Sequence, residues 1–538
     1  MSHSSDKMMN RYALLTLCSF SFMPAMNAQK GYTRTHSKML DEAKTLFEAQ
    51  QWSDAARVYR KLVDVDTTFG EVAYELGICF NHMPAQREMA AAQFERAARN
   101  GSIEAKYEVA IMRHRQQRFD EEVALLTAYK QENGRAVADA EVDRRIGMAN
   151  TAKQLIAFPA EMNIRNMGTL INSKDHDYCP IITADGNTMY FTSRREGSTG
   201  SMRDPSGQYF EDIYMAKRVD EIWSNATNVG APLNTFVQDA TVGLNPDGSS
   251  MIIYRTAQNL TSGDLYECNR HLGLWQPPVK MTERINSEFH EPSATISPDG
   301  SEIYFTSDRD GGFGGRDLYR IRKLPNDQWS LPLNLGPTIN TPYDEDAPFM
   351  HSDGTTLFFS SNGHGTMGGY DIFKSTLVDY DMNGWTPPEN MGYPLNTVND
   401  DIYFCLSEDG QTGYFSSERA GGVGGQDIYQ ITFPASQLEY LVVRGVVTDA
   451  SEEPIQARIL LTDQTGEELV GVYNANARTG RYLMVVQPNE SYTMTVEAPG
   501  YETRIATVST AAVEEGSHEI PMDVVLTRNE NTARIAKP

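Results

Sequence analysis

The sequence predicts a multidomain chain, α followed by all-β: helical repeats, a five-bladed β-propeller and a small antiparallel β-sandwich. Three observations predict it. First, an Asp-Gly turn between short alternating strands recurs five times, at Asp185, Asp247, Asp299, Asp353 and Asp409. The interval, about 52 to 62 residues, suits one four-stranded blade with variable loops. In every copy an Asn stands 13 residues earlier, at Asn172, Asn234, Asn286, Asn340 and Asn396, a register that chance does not hold five times. Second, residues 38–157 carry small and large apolar residues at helical spacing. Third, residues 438–528 alternate with period two between Gly, Pro and Asn turns.

Taken in order, the chain opens on an export signal over residues 1–28. Lys7 and Arg11 precede an apolar run from Tyr12 to Phe22, and small residues suit cleavage after Ala28. Cys18 lies in that run, but Leu17 precedes it where a lipoprotein signal carries a small residue, so lipidation is the lesser reading. No later segment is long and apolar enough to span a membrane, which implies a periplasmic or outer-membrane-associated protein.

In residues 38–157, Ala43, Phe47, Ala55 and Tyr59 alternate as in a tetratricopeptide helix pair. Leu76, Gly77, Phe80, Ala91 and Phe94 make a second pair; Tyr107, Phe119 and Leu125 begin a third. Trp52 and Phe119 occupy matching places two repeats of about 34 residues apart. Small residues let helices approach and aromatics fill the gaps between pairs. Residues 137–156 are expected to cap the stack, and Pro159 ends it. A plain helical bundle is the alternative.

The five blade repeats occupy residues 160–434. The Asp-Gly turn leads into an aromatic strand in four copies, such as Tyr304-Phe305; copy two has Ile252-Ile253. The third strand opens on Asp212, Asp264, Asp317, Asp371 and Asp427, and the fourth follows Trp223, Trp275, Trp329 and Trp385. Copy five lacks that last strand. An Asn-x-Gly segment follows the Trp in three copies (Asn228, Asn334, Asn390) and occurs once before copy one, as Asn166-Met167-Gly168. Residues 163–167 are therefore expected to complete the fifth blade and hide its edge. Copies one and five then adjoin, with Cys179 and Cys405 on neighbouring innermost strands. A disulfide is open there, but free thiols are the favoured reading for Cys79, Cys179, Cys268 and Cys405. Residues 438–528 read as the sandwich and 529–538 as a flexible polar tail.

The repeat core SPDGSEIYFTSDRDGGFGGRDLY resembles the WD40-like repeats of the TolB type. The last region, with its Gly-x-Val start, TGRY strand and APGYE turn, looks like a carboxypeptidase regulatory-like domain. Helical repeats, propeller and such a domain in this order resemble multidomain OmpA-family envelope proteins, which include a type IX secretion component. Those proteins usually end in an OmpA-like domain. The sequence stops at Pro538 without one, so peptidoglycan binding is not carried over.

The net charge of −25 speaks against nucleic acid or anionic lipid as the main partner. Five residues after each blade Asn stands an acid: Asp177, Asp239, Glu291, Glu345 and Asp401. Arg195, Arg309 and Arg419 follow at a constant offset in copies one, three and five, and the pairs Asp177–Arg195, Glu291–Arg309 and Asp401–Arg419 read as structural ties. Copies two and four carry Ala257 and Gly363 instead, so Asp239 and Glu345 are expected to lack the Arg and to be available for a partner. The long loop between Phe191 and Asp212 adds Arg203 and Tyr209 as binding candidates.

Glycine-rich loops at 311–315 and 421–425 open no helix, and turns with positive φ account for them better than phosphate binding. Asp308 and Asp310 lack the rest of a calcium loop. No Cys or His spacing suggests a metal, no cofactor is expected, and no catalytic set stands out. The expected function is a non-catalytic envelope scaffold or adaptor whose partners are envelope proteins, possible secretion-system components among them, with membrane association through those partners. The alternative is an envelope glycan-binding protein or a propeller glycosidase, for which carboxylate pairs beside aromatic platforms would speak.

Overall fold

A computed structural model describes residues 34–529 apart from 84–85, 184, 221, 246–247, 261, 327, 381, 408–409, 435–440, 467, 478, 488–489 and 511–518. The expected export signal and residues 530–538 of the expected tail lie outside the described residues, as do the turn residues Asp247 and Asp409. The fold is mixed, with α-helices first and antiparallel sheets after them. The chain divides between Gln154 and Leu155 into two compact units.

The first unit is built from helices Arg34–Glu48, Trp52–Val65, Gly70–Asn81, Glu88–Arg99, Ile103–Arg115 and Phe119–Gln131, with Asp139–Ala157 running to the boundary. The alternation of small and large residues decides their packing. Ala43, Ala55, Tyr59, Leu76, Phe80 and Phe94 are all buried, and each large side chain contributes roughly 1.5–3 kcal/mol by leaving water. A Cβ on Gly77 would stand 2.6 Å from the Phe94 ring, so only glycine admits that aromatic. Trp52 stacks on His82 at 4.1 Å, and its counterpart Phe119 meets His114 edge-on at 5.5 Å.

The second unit contains five antiparallel sheets of one pattern. Their first strands are Asp177–Ile182, Asp239–Leu244, Ala294–Ile296, Glu345–Met350 and Asp401–Leu406. Each of these packs beside the next, and the fifth beside the first, so the sheets form a closed ring. The second strands are wedged between neighbouring sheets, which buries both faces: in Glu302–Ser307 every residue is buried. That is why these strands are aromatic rather than alternating. Four sheets end in short strands of their own; the fifth ends in Asn163–Asn166, antiparallel to Asp427–Thr432 with Asn163 opposite Thr432.

The repeated Asn ties each sheet to the preceding one. Asn172 accepts a hydrogen bond from the Ile428 amide at 2.9 Å and donates to its carbonyl at 2.9 Å. Asn234 does the same at Ile213, Asn286 at Leu265, Asn340 at Leu318 and Asn396 at Ile372. A short amide is one of the few side chains that satisfies a buried N–H and C=O together. The Asn of each Asn-x-Gly segment braces it, as Asn166 does by accepting from Asn172 and donating to Asp427. Before copy three, where that segment is degenerate, Lys280 pairs with Asp264 at 2.9 Å instead.

The sandwich has two sheets. One is Leu469–Asn474, Arg458–Asp463, Ser491–Glu497 and Arg504–Ser509, all antiparallel. In the other, Leu441–Asp449 pairs antiparallel with Arg481–Val486 but parallel with Glu519–Pro521 and Val524–Leu526. This corrects the antiparallel expectation: the chain crosses over from the other sheet before these last strands, and a crossover brings a strand back in the same direction. The sandwich adjoins the ring where the Asp-Gly turns emerge: a Cβ on Gly354 would lie 2.6 Å from the Val472 carbonyl oxygen.

Candidate functional site

The opposite end of the ring carries the starts of the first strands and the loops between strands two and three. All five sequence-predicted acids sit there, and all are buried. Each accepts hydrogen bonds from the backbone and hydroxyl of the Ser or Thr after the repeated Asn, as Asp177 does from Ser173 at 2.5 and 2.7 Å. Arg195, Arg309 and Arg419 reach Asp177, Glu291 and Asp401 at 2.5, 3.2 and 2.7 Å. The same guanidiniums donate to the carbonyls of Ile171, Ile285 and Leu395 and lie over aromatic rings of strands two and three. Shared between carboxylate and carbonyl and stacked on the rings, the half-buried guanidiniums hold loop to strand.

Asp239 departs from expectation. It is paired with Arg255, whose Nε lies 2.5 Å from its carboxylate and whose Nη2 donates to the Leu233 carbonyl at 2.8 Å. Arg255 stands opposite Asp239 in the ladder, where Ser193 stands opposite Asp177. The guanidinium thus reaches the same place from a position two residues earlier than the spacing indicated. In copy four no cation compensates: among the described residues Glu345 is bonded by Thr341 and Ser361 alone. Burial pushes its carboxyl up to about 7. His364 fills the vacated slot, its Nε2 2.8 Å from the Ile339 carbonyl and its ring against Phe359 and Phe373. Both Asp239 and Glu345 are 0% exposed, so neither carboxyl is placed to meet a macromolecule directly.

Beside charged residues such as Glu196, Asp308 and Asp310, the face exposes large apolar side chains. Phe236 is 74% exposed, Met202 48% and Phe313 48%. The long loop is ordered by its own contacts: Arg203 lies 3.7 Å over the Tyr209 ring and bridges to its backbone, Asp204 accepts from Arg194, and Phe210 is buried. Arg203 and Tyr209 therefore brace the loop on which Met202 is presented.

At the centre of the ring, composition and spacing left a polar cluster unseen. Arg316 donates to Asp346 at 2.5 Å and to the Tyr370 hydroxyl at 2.6 Å; Tyr178 donates to Glu211 at 2.5 Å and stacks on Tyr403 at 5.9 Å. First strands one, four and five bulge here, with Cys179, Ala347 and Tyr403 at φ 52°, 50° and 62°. Such left-handed positions cost of order 1–3 kcal/mol in non-glycine residues. Cys179 and Cys405 are buried free thiols, which leaves no disulfide between them.

The glycine-rich loops meet the positive-φ expectation in part. Gly311 and Gly421 have φ 87° and 88°, but Gly314 and Gly424 are needed for clearance, their Cβ atoms falling 2.2 and 2.3 Å from the Thr341 and Ser173 carbonyl oxygens. The Phe313 and Gly314 amides donate to Asp317, which occupies the donors a phosphate would need. Among the described residues no cluster of His, Cys, Asp or Glu is placed to hold a metal ion.

No protein-family model matches the chain, and no curated protein does. Among solved structures it is similar to TolB from Acinetobacter baumannii (16% identity, 49% of this chain and 56% of that one, TM-score 0.30). It is likewise similar to a putative TolB from Agrobacterium tumefaciens (16%, 60% and 97%, TM-score 0.30). A third likeness is to an endo-arabinase from Bacteroides thetaiotaomicron (13%, 50% and 98%, TM-score 0.33). The chain spans little over half the length of the first of these.

Proposed function

We infer that this protein is a non-catalytic cell-envelope scaffold, exported to the periplasm and associated there or at the outer membrane with protein partners. In this reading the helices are tetratricopeptide-like repeats, the ring is a five-bladed WD40-like β-propeller, and the last domain is a carboxypeptidase regulatory-like sandwich. Components of a type IX secretion system are the partners the domain order suggests. The observation that carries the reading is the loop face of the ring, where Phe236, Met202 and Phe313 stand exposed on a frame held by buried ion pairs. Large apolar side chains kept in water on a rigid scaffold suit contact with another protein. The carboxylates Glu211 and Asp346 at the ring centre are engaged by Tyr178 and Arg316.

The test is co-purification from envelope extract with the wild type, with a deletion of residues 198–208 and with Phe236→Ser/Phe313→Ser. The variants should lose at least one partner by about tenfold, with the double serine variant melting like the parent. Partners retained at wild-type levels by both variants would move the binding site to the helices. The alternative, a glycan-binding protein or glycosidase, draws on the Tyr178–Tyr403 stack beside these carboxylates; release of reducing sugar from envelope polysaccharide would favour it.

A further inference from the structure

Strand three of the second sheet, Gly263–His271, overshoots its neighbour: Ser250, which opens strand two, stands opposite Asn269. Residues 271–274 therefore project at the end of the ring opposite the loop face. They turn back in a two-residue hairpin, with His271 paired to Leu274 and with Leu272 and Gly273 at φ 49° and 80°. Such a turn favours Asn, Asp or Gly at both positions, and the first sheet complies with Asp220 at φ 48°. The second sheet places a leucine there, 88% exposed. The left-handed backbone is costly for leucine, and so is water around its side chain. Neither folding nor solubility selects it.

The surroundings match this tip. Leu274 is 71% exposed, and Val279, which also pairs with Gly263–His271, is 65% exposed. Residues 269–280 carry Arg270, His271 and Lys280 and no acid, in a chain of net charge −25. Trp275 packs edge-on against Tyr190 of the first sheet at 5.9 Å and lies 5.7 Å beneath the Arg270 guanidinium, so the tip is held in place. The hairpin of the first sheet exposes Val219 and Ile222 at the same end of the ring.

Shape and charge narrow the occupant. A stable protein contact buries roughly 800 Å² on each side, and a convex tip of three apolar side chains offers far less. A bilayer needs no matching surface: it takes apolar side chains among its acyl chains and cations at its phosphates. The net charge of the chain acts weakly at such a contact, because exposed charges more than about 8 Å away are screened at physiological salt. Arg270 at the tip is not. We propose that the hairpin around Leu272 is a direct anchor on an anionic phospholipid surface. It lies at the other end of the ring from Phe236 and Phe313, and stands or falls apart from the contact proposed for them.

The test is sedimentation with vesicles of phosphatidylethanolamine and phosphatidylglycerol, and with vesicles of phosphatidylcholine. The chain is used without residues 1–28, whose apolar run would itself enter lipid. Half of the parent should sediment with phosphatidylglycerol vesicles at a lipid concentration on the order of 1 mM. Leu272→Asn should weaken binding by about tenfold or more, yet melt at or above the parent, because asparagine suits the turn. Leu274→Thr, at a strand position, should weaken binding likewise, and Phe313→Ser should bind vesicles like the parent. Absence of sedimentation by about 5 mM lipid would overturn the proposal and leave the tip to a protein partner. Unchanged binding of both leucine variants, loss of binding in Phe313→Ser, or equal binding to phosphatidylcholine would each overturn it too.

Discussion

Replacing Arg255 with alanine tests the logic of the ring's buried ion pairs. The substitution leaves the Asp239 carboxyl, 0% exposed, without its cation, and the Leu233 carbonyl without a donor. Removing one member of a buried pair costs about 3–5 kcal/mol. Copy four shows the direction of the effect, because Glu345 lives without a cation and burial pushes its carboxyl up to about 7. The guanidinium is 17% exposed and burial already lifts Asp239 in the parent, so about 3 kcal/mol is the better figure.

The sign of the pH dependence follows. A carboxyl whose folded value is raised above its unfolded value favours the fold below the unfolded value and loses that advantage as pH rises through the folded one. The deficit of Arg255→Ala should thus be larger at pH 8 than at pH 5. Thermal unfolding followed by tryptophan fluorescence reads it, since Trp223 and Trp275 lie in sheets one and two. A loss of roughly 6–12 °C is expected at pH 8. Melting equal to the parent at pH 8, or an equal loss at both pH values, would refute the reasoning.

Two further outcomes follow. Glu345→Gln should raise the melting temperature at pH 8, where the parent's buried carboxyl is ionised, and leave it unchanged at pH 5; a uniform drop would mean that the charge itself is needed. Gly368→Ala should destabilise by about 2–3 kcal/mol, because its Cβ would fall 2.1 Å from the Thr397 carbonyl oxygen, whereas Gly365→Ala meets nothing within 4 Å and should stay within about 0.5 kcal/mol in denaturant titration.

The repeated sheets were legible because their markers are short-range: an Asp-Gly turn and an Asn at a constant offset survive variable loops. The acid–Arg ties of copies one, three and five were legible for the same reason. Arg255 was not, because a guanidinium on a long stem reaches one carboxylate from two backbone positions, and fixed spacing tests only one of them. His364 was hidden likewise, beside the glycine that spacing singled out. Tyr178, Arg316, Asp346 and Tyr403 come from four different repeats, and only ring closure brings them together. Burial also separates the acids from the surface, a distinction that counting residues cannot make. The parallel strands of the sandwich escaped because alternation shows that a strand is half-buried, not which way it runs.

The closing strand has a consequence for the order in which the molecule assembles. Arg165 and Gln430, which meet through their side chains, are 265 residues apart in sequence. Four sheets complete themselves from contiguous chain, while the fifth waits for a segment made before any of them. Contacts of such separation form late, since a long loop must close before they repay its entropy. A chain emerging from its amino end therefore carries the unpaired strand Asn163–Asn166 throughout synthesis, and the ring locks only after Asp427–Thr432 has appeared. Until then the nascent protein keeps an adhesive edge at each end, and a chaperone that shields such an edge would act on both alike.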